Sequence, residues 1–230
     1  MSARRLTTGI VLAAWAATFW WLFVTDRSSL YLSSRTAWVI PLGAVLMTIA
    51  AAGRLLSARV ADPEPMRVRD LAGIALLLIP VVVVAASPVT SLGTFAVDRR
   101  ASFASAFVSS SEDISSGELS LADVAGATRV PELMNALVAR AGSQVSFVGF
   151  VDRDEGMPAD EFMLTRFMIS CCVADALTVQ VRVTGAPPGE FEADDWVRVT
   201  GALYPVEREV IVDASSVVSV PRPKDPYLNP

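Results

Sequence analysis

Long apolar runs fill the first 90 residues of the chain, and short runs that alternate between apolar and polar positions fill much of the rest. The apolar runs cover residues 6–24, 36–56 and 71–89, and Arg54 is the only charge inside them. A bilayer core of about 30 Å needs roughly 20 such residues in a helix. The pattern predicts three transmembrane spans in a region of residues 1–90, rather than soluble-core helices or a cleaved signal peptide.

Arginines in the short loops predict how these spans are oriented. The second loop has four arginines, counting Arg54 near the end of the second run with the three between the second and third runs, against two between the first and second. The richer loop is expected to be cytoplasmic, which places the N-terminus in the cytoplasm and everything after residue 90 outside. The predicted location is therefore a cell membrane, with a multi-pass anchor in the lipid bilayer and an extracytoplasmic C-terminal domain.

The chain after residue 90 is divided by its composition into three parts. Residues 91–117 are rich in Ser and Ala, as in a linker. Residues 118–220 are predicted to form an α+β domain that begins with two short helices. Ser120 and Asp123 resemble a capping box, and Pro131 can occupy the first turn of the second helix. Residues 221–230 contain four prolines, which favours an extended tail over the domain or in solvent.

Five segments of the α+β domain alternate with period two, as strands do. They are residues 144–151, 161–169, 178–183, 196–203 and 210–220. Short strands at this spacing predict a small barrel or sandwich. Gly149 and Gly201 lie within them, where glycine often marks a bulge or a sharp bend. A five-stranded OB-like barrel is the preferred architecture, and a small β-sandwich is the alternative.

Composition excludes several classes of function. Hydrophobic residues make up 53% of the chain, charged residues 19%, and the formal net charge is −5. No basic patch supports binding to nucleic acid, since residues 91–230 hold 11 Lys and Arg against 20 Asp and Glu. Histidine is absent, which excludes Ser-His-Asp triads and His-based metal sites. No nucleophile–base pair, phosphate loop or dinucleotide fingerprint is present, so an enzyme is not expected.

One stretch of the domain carries a family resemblance. The string R-F-x-x-x-C-C-x-A-D-A runs from Arg166 to Ala176, between GFV at Gly149 and WVRVTG at Trp196. With the preceding apolar runs, it resembles a family of uncharacterised bacterial membrane proteins regarded as permease subunits. The closing PKDPYL looks like the actinobacterial branch of that family. The resemblance implies a small accessory partner of a larger membrane permease subunit, and it carries over no catalytic residues.

The adjacent cysteines of that string suggest a ligand site. Cys171, Cys172 and Asp175 lie in the connection between two predicted strands. Two thiolates and a carboxylate can bind a soft metal ion, which is the only cofactor that the residues suggest. Successive residues of an extended strand point to opposite faces, so convergence on one ion requires a turn. A fourth ligand would come from the preceding loop, which offers Asp152, Asp154 and Asp160.

Two other interpretations of the cysteines stay open. A redox switch would need a vicinal disulfide, and consecutive Cα atoms about 3.8 Å apart lie closer than disulfides prefer. In a structural interpretation, both cysteines fill space and Asp175 caps the turn. Arg166 is a candidate contact for an anionic ligand or partner, together with Asp152 and Asp154, or else an edge or ion-pair residue.

The sequence thus predicts an accessory subunit of a membrane permease. Its acidic extracytoplasmic domain would bind or gate a substrate, with a metal or metalloid ion as the candidate. A membrane-anchored thiol redox sensor and a membrane-anchored OB-type ligand-binding module are the alternatives. No charge lies deep inside the spans to mark a transport path, so the chain is not expected to transport alone.

Overall fold

The structure is a computed structural model that describes residues 3–60, 68–87, 90–100, 114–115, 117–207 and 209–229. The chain divides into two compact units, Met1–Thr90 and Ser91–Pro230. The first is helical and the second contains all the strands of the described residues.

The helical unit contains three long helices and one short turn of 3₁₀ helix. They are α1 (Ala3–Val24), the 3₁₀ turn Arg27–Leu30, α2 (Val39–Val60) and α3 (Val68–Ala86). By length and hydropathy, Ala3–Val24 and Val39–Arg59 could each cross a membrane. Only 28% of the most apolar stretch of the first helix and 11% of that of the second are buried, which is unlike a mostly buried core helix of a soluble protein. These helices indicate association with a membrane.

The third predicted span is not confirmed. Helix α3 contains Pro80, and its apolar part, Asp70–Ala86, is shorter than the two helices that qualify as spans. The predicted run extended to residue 89, but residues 88–89 lie outside the described part of the chain. The structure therefore supports two candidate spans instead of three. The multi-pass orientation deduced from the arginine counts stays a prediction.

Small residues bring α1 and α2 together. A Cβ atom on Gly9 would lie 2.8 Å from Leu55 Cδ2, and one on Gly43 would lie 3.2 Å from the ring of Phe19. These pairs show that the two helices run antiparallel. Close approach through small residues is the usual way for membrane helices to pack, because lipid does not drive apolar side chains together. The buried positions of α2 include Ala44, Ala51 and Ala58, which are seven residues apart.

Before its strands, the described part of the second unit includes several short helices. They are α4 (Thr94–Val97), α5 (Leu121–Ala127) and α6 (Pro131–Val138). The predicted capping box is present, since the Ser120 hydroxyl accepts from the Asp123 N–H and the Asp123 carboxylate accepts from the Ser120 N–H. Pro131 occupies the first turn of α6, as predicted. All seven residues of α5 are buried, so this helix belongs to the core.

Five strands close into a barrel, which confirms the predicted five-stranded barrel over the sandwich. They are β1 (Gln144–Asp152), β2 (Phe162–Met168), β3 (Leu177–Thr184), β4 (Trp196–Val206) and β5 (Glu209–Ser219). Their order around the barrel is β1-β2-β3-β5-β4. All neighbouring strands are antiparallel except β3 and β5, which pair in parallel over Arg182–Thr184 and Ile211–Asp213.

The barrel interior is filled by alternate residues of the strands. Val179, Val181 and Val183 on β3 are buried, whereas Gln180 and Arg182 between them are only half-buried. The register of β4 against β5 shifts between Thr200 and Gly201. A Cβ atom on Gly201 would overlap the backbone oxygen of Asp213. Glycine is therefore required at this bulge, as its place inside a predicted strand had indicated.

A second, smaller core lies against the outside of the barrel. Its buried members are Val97, Phe150, Phe167, Ile169, Ala176 and Tyr227. It joins α4 and the C-terminal tail to the barrel strands. The Tyr227 hydroxyl accepts a hydrogen bond from the Leu92 N–H at 3.1 Å, and Leu228 forms a parallel bridge with Met168. The tail therefore lies over the domain, one of the two placements expected for it.

The start of the predicted linker is part of this packing. The Asp194 carboxylate accepts from the backbone N–H of Thr94 at 2.7 Å and from its hydroxyl at 3.2 Å, which caps α4. Leu92 and Thr94 thus contact the barrel unit through hydrogen bonds, and the linker assignment of 91–117 stays a prediction. Residues 101–113 and 116 of that prediction lie outside the described part.

Candidate functional site

The predicted CCxxD segment forms a compact turn between β2 and β3. Asp175 ends a short 3₁₀ helix, Val173–Asp175. Its carboxylate accepts hydrogen bonds from the backbone N–H groups of Ser170 at 3.0 Å and Cys171 at 2.8 Å. The N–H of Asp175 donates to the carbonyl of Cys172 at 3.0 Å. Asp175 therefore closes the turn, in the way that Asx side chains stabilise local turns.

The turn brings the two sulfur atoms to one side of the chain. Cys171 Sγ and Cys172 Sγ lie 3.5 Å apart, although an ideal extended strand would point them to opposite faces. Cys171 is exposed and Cys172 is half-buried, and neither forms a disulfide. The backbone therefore presents an adjacent dithiol at the surface of the barrel unit.

The Cys171 thiol is held in its protonated form by a raised pKa. The hydrogen bond with Asp175 is the main cause that raises the pKa of Cys171, to about 11, followed by the hydrogen bond with Cys172. Burial raises the pKa of Asp175, but hydrogen bonds from the Cys171 thiol and from backbone N–H groups outweigh burial and lower it. A thiol with a pKa near 11 is mostly un-ionised at neutral pH, and the thiolate is the reactive form. This weighs against rapid thiol–disulfide exchange.

The carboxylates proposed as further metal ligands are not assembled with the cysteines. Within the residues that the structure describes, no group of three or more His, Cys, Asp or Glu side chains is placed to hold a metal ion. Asp152 ends β1, and Asp154 and Asp160 lie in the loop that follows. Both oxygens of Asp175 already accept hydrogen bonds. The soft metal ion stays a prediction, and the turn itself offers two sulfur donors.

Arg166 contacts the C-terminal tail. Its guanidinium donates to the carbonyl oxygens of Pro226 at 3.2 Å, Asp225 at 2.7 Å and Tyr227 at 3.5 Å. Burial is the main cause that lowers the pKa of Arg166. The arginine that was a candidate for an anionic ligand therefore holds the tail in place in this structure. The ligand-contact prediction for Arg166 has no support from these contacts.

Asp152 takes part in a buried polar network that the sequence did not reveal. Gln180 Nε2 donates to Asp152 Oδ2 at 3.1 Å and to Thr165 Oγ1 at 3.2 Å, linking β1, β2 and β3. Burial raises the pKa of Asp152, and the negative charges of Asp154, Asp98 and Asp194 raise it further. These residues occupy outward positions of the barrel strands. From the sequence alone, a polar residue at such a position is expected to be exposed to solvent.

The cysteine turn is tied to the segment that precedes the barrel. Arg100 Nη1 donates to the carbonyl oxygen of Ala174 at 2.9 Å, so the residues after α4 contact the turn directly. Val173 and Ala176 of the turn pack in the second core beside Val97 of α4. No pattern in the sequence links Arg100 with the cysteines, because 70 residues separate them.

A cleft of about 860 Å³ lies between the α5–α6 connection, the outer face of β3 and the β4–β5 hairpin. Its lining includes Arg129, Asn135, Gln180, Arg182 and Glu207. Arg182 is held by ion pairs of 3.1 Å with Glu161 and with Glu209. Volumes of 300–1,000 Å³ are typical of small-molecule sites. Periodicity alone could not have found this cleft, because its walls come from three separate parts of the chain.

Comparison with known proteins gives one family. The family model described as "DUF1980 C-terminal domain" matches residues 106–230. The match includes the whole barrel, the cysteine turn and the described part of the tail. No curated protein matches the chain.

Proposed function

The chain belongs to the family of the DUF1980 C-terminal domain, and on that premise we propose that it is a membrane-anchored accessory subunit of a larger permease. The apolar helices α1 and α2 anchor it in the bilayer and dock beside the larger subunit. The barrel unit lies outside the membrane and takes up or gates a substrate. The location in an actinobacterial membrane and the cytoplasmic N-terminus are parts of the same proposal.

The exposed dithiol is the single observation that carries this proposal. The sulfur atoms of Cys171 and Cys172 lie 3.5 Å apart on an exposed turn, which suits the capture of a thiophilic ion better than the filling of a core. The exposed apolar side chains of the helical unit support the anchor, among them Ile10, Leu46, Ile49 and Leu56. A soluble protein rarely exposes a large contiguous apolar surface.

Co-isolation tests the permease role. The full-length chain, tagged and expressed in its own host, is purified in mild detergent after cross-linking in intact cells. We expect one larger multi-pass membrane protein at a fixed ratio, retained in the Cys171→Ser, Cys172→Ser double variant. The Ile49→Arg variant is the matched control, because it alters the anchor and leaves the barrel unchanged. Isolation of the chain with lipid alone, in every detergent and after cross-linking, contradicts the proposal.

Labelling in whole cells tests the orientation. Single cysteines introduced at the exposed positions Val218 and Arg4, in the double serine background, are treated with a membrane-impermeant maleimide. Labelling of position 218 in intact cells, with position 4 labelled only after permeabilisation, is the expected outcome. The reverse pattern places the barrel unit in the cytoplasm and removes the extracytoplasmic part of the proposal.

The cleft favours a second candidate, an anchored ligand-binding module. On this proposal the barrel is of OB type, because its strand order β1-β2-β3-β5-β4 forms a closed five-stranded barrel and the cleft lies on β3 and beside the β4–β5 hairpin, where OB barrels bind ligands. Binding of soluble envelope glycan fragments, measured by calorimetry on the full-length chain, is expected to weaken in Arg129→Ala and Asn135→Ala. Arg198→Ala on the outside of β4 is the control. Equal binding by all three variants contradicts this candidate.

A further inference from the structure

The separation of the two sulfur atoms restricts the kind of ion that the cysteine turn can bind. With bonds of about 2.3 Å, the length of zinc–thiolate bonds, two sulfurs 3.5 Å apart subtend an angle of about 100° at a shared centre. A linear two-coordinate ion such as Cu(I), Ag(I) or Hg(II) needs sulfurs about 4.6 Å apart at that bond length. Adjacent residues on this turn would have to separate their side chains by roughly a further 1 Å to bind such an ion.

The number of donors restricts the ion further. A structural zinc site takes four protein ligands in a tetrahedron, whereas the turn offers two sulfurs. Among the described residues no group of three His, Cys, Asp or Glu side chains is placed to hold a metal ion, so Asp175 adds no third ligand to the two sulfurs in this arrangement. Cys171 is exposed, so the remaining positions of a bound centre face solvent. The geometry therefore fits a central atom that bonds both sulfurs at an S–X–S angle of about 100° and keeps a third, non-protein ligand on the solvent side.

From this geometry we propose that Cys171 and Cys172 chelate a trivalent, pyramidal metalloid, of the arsenic(III) or antimony(III) class. The proposal rests on the proposed function and names the substrate class of its thiol pair. The reaction is a ligand exchange. Two S–H bonds and two As–OH bonds break, two As–S bonds form, and two water molecules leave. Arsenous acid thereby becomes a dithiolate that keeps one hydroxide, and no atom is oxidised or reduced.

The turn prepares the pair for this exchange. Asp175 fixes the backbone of Ser170 and Cys171, and Ala174 is held by Arg100 at 2.9 Å. The second As–S bond therefore forms within one molecule, at a high effective concentration. Chelation through two linked sites typically strengthens binding by about 10²–10⁴ over one site. A single remaining cysteine loses that factor.

The test uses the full-length chain in detergent, with arsenite and phenylarsine oxide as the probes. Intact-mass spectrometry under native conditions counts bound arsenic, and a thiol reagent counts the cysteines that remain. We expect one arsenic per chain and the simultaneous loss of both thiols. Cys171→Ser and Cys172→Ser should each weaken binding by about 10²–10⁴. Asp175→Asn keeps both sulfurs but loosens the turn, and should weaken binding by less than either serine variant.

Competition separates the metalloid from other soft ions. Addition of Zn²⁺ or Cu(I) should leave the arsenical bound, since a linear Cu(I) ion needs sulfurs farther apart than these and Zn²⁺ would lack two of its four protein ligands. Complete displacement by Zn²⁺ or Cu(I), or wild-type affinity in either serine variant, overturns the proposal. Retention of secondary structure by circular dichroism shows that the variants fold. The co-isolation experiment does not depend on the thiols, so failure of metalloid binding and failure of the permease role are distinguishable.

Discussion

At the helix contacts of the first unit the buried residues are mostly small, whereas in the barrel unit the buried residues are bulky. Gly9, Ala44 and Ala58 are buried in α1 and α2, while Ile49 and Leu56 are exposed. In the barrel unit Phe162 and Leu203 are completely buried. The hydrophobic effect drives large apolar residues inward only where water surrounds the fold. The difference indicates that the two units are built for different solvents.

The largest expected effect tests whether lipid surrounds the helical unit. Ile49 lies near the middle of α2 and is 64% exposed. If lipid surrounds it, Ile49→Arg should oppose membrane insertion by about 3 kcal/mol, as measured by the fraction of chain that resists carbonate extraction. Val218→Arg on β5, where Val218 is 53% exposed, is the matched control and should change stability by less than about 0.5 kcal/mol. Equal, small effects would remove the contrast between the units.

A second prediction compares the packing around one glycine in each unit. A Cβ atom on Gly201 would overlap the backbone of Asp213, whereas one on Gly53 of α2 would meet open space. We expect Gly201→Ala to lower the unfolding free energy of the barrel by about 2–3 kcal/mol. Gly53→Ala should be neutral or should stabilise α2 by up to about 1 kcal/mol. Hydrogen exchange of the β4 and α2 amides measures both, and a stable Gly201→Ala barrel would show that the bulge can move.

A third prediction concerns the second core of the barrel unit. Arg166→Met removes three hydrogen bonds to the carbonyl oxygens of residues 225–227. Loss of a charged donor to acceptors that are in part buried should cost about 2 kcal/mol, locally. The amide of Leu228, which donates to Phe167 at 2.8 Å, should then exchange faster. Arg198→Met on β4 is the control, and unchanged exchange at Leu228 would show that the other tail contacts hold the tail without Arg166.

The smallest expected effect concerns the buried carboxylate of Asp152. Its pKa is raised above the ordinary value of 3.8. As the pH rises from 3.8 to the raised pKa, the folded chain keeps a proton that the unfolded chain has lost, so the unfolding free energy falls. Asp152→Asn removes this pH-dependent fall in the unfolding free energy, and it should stabilise the barrel by less than about 1 kcal/mol at pH 7. Below pH 3.8 the variant and the wild type should agree, as denaturant titrations at several pH values will show.

Much of the barrel unit could be predicted from the sequence. Alternation located all five strands to within three residues of their observed ends, and Gly201 marked the bulge. The capping box at Ser120 and the position of Pro131 depend on neighbouring residues only, so local pattern was sufficient. The helical unit was less predictable, since run length counted 71–89 as a span, whereas the apolar part of α3, Asp70–Ala86, is too short to qualify and contains Pro80.

The contacts that shape the candidate site could not be predicted in this way. Asp194 caps α4 from a loop 100 residues away, and Arg166 reaches carbonyl oxygens some 60 residues on. Periodicity reports which face a residue occupies but not which distant backbone it meets. The sulfur separation depends on the backbone bend at Cys171, which the extended-strand assumption misses. Such contacts form only once the barrel has closed.

The order of the strands has a consequence for how fast the barrel unit folds. The barrel is closed by β1 and β4, whose paired residues, such as Gln144 and Ala202, lie far apart in the chain. Small barrels dominated by such non-local pairs fold in milliseconds to seconds, much more slowly than helical domains. The helices of the first unit precede the barrel and involve local contacts. During synthesis the anchor can therefore form well before the barrel closes, and the unpaired strands must be kept from aggregating in the interval.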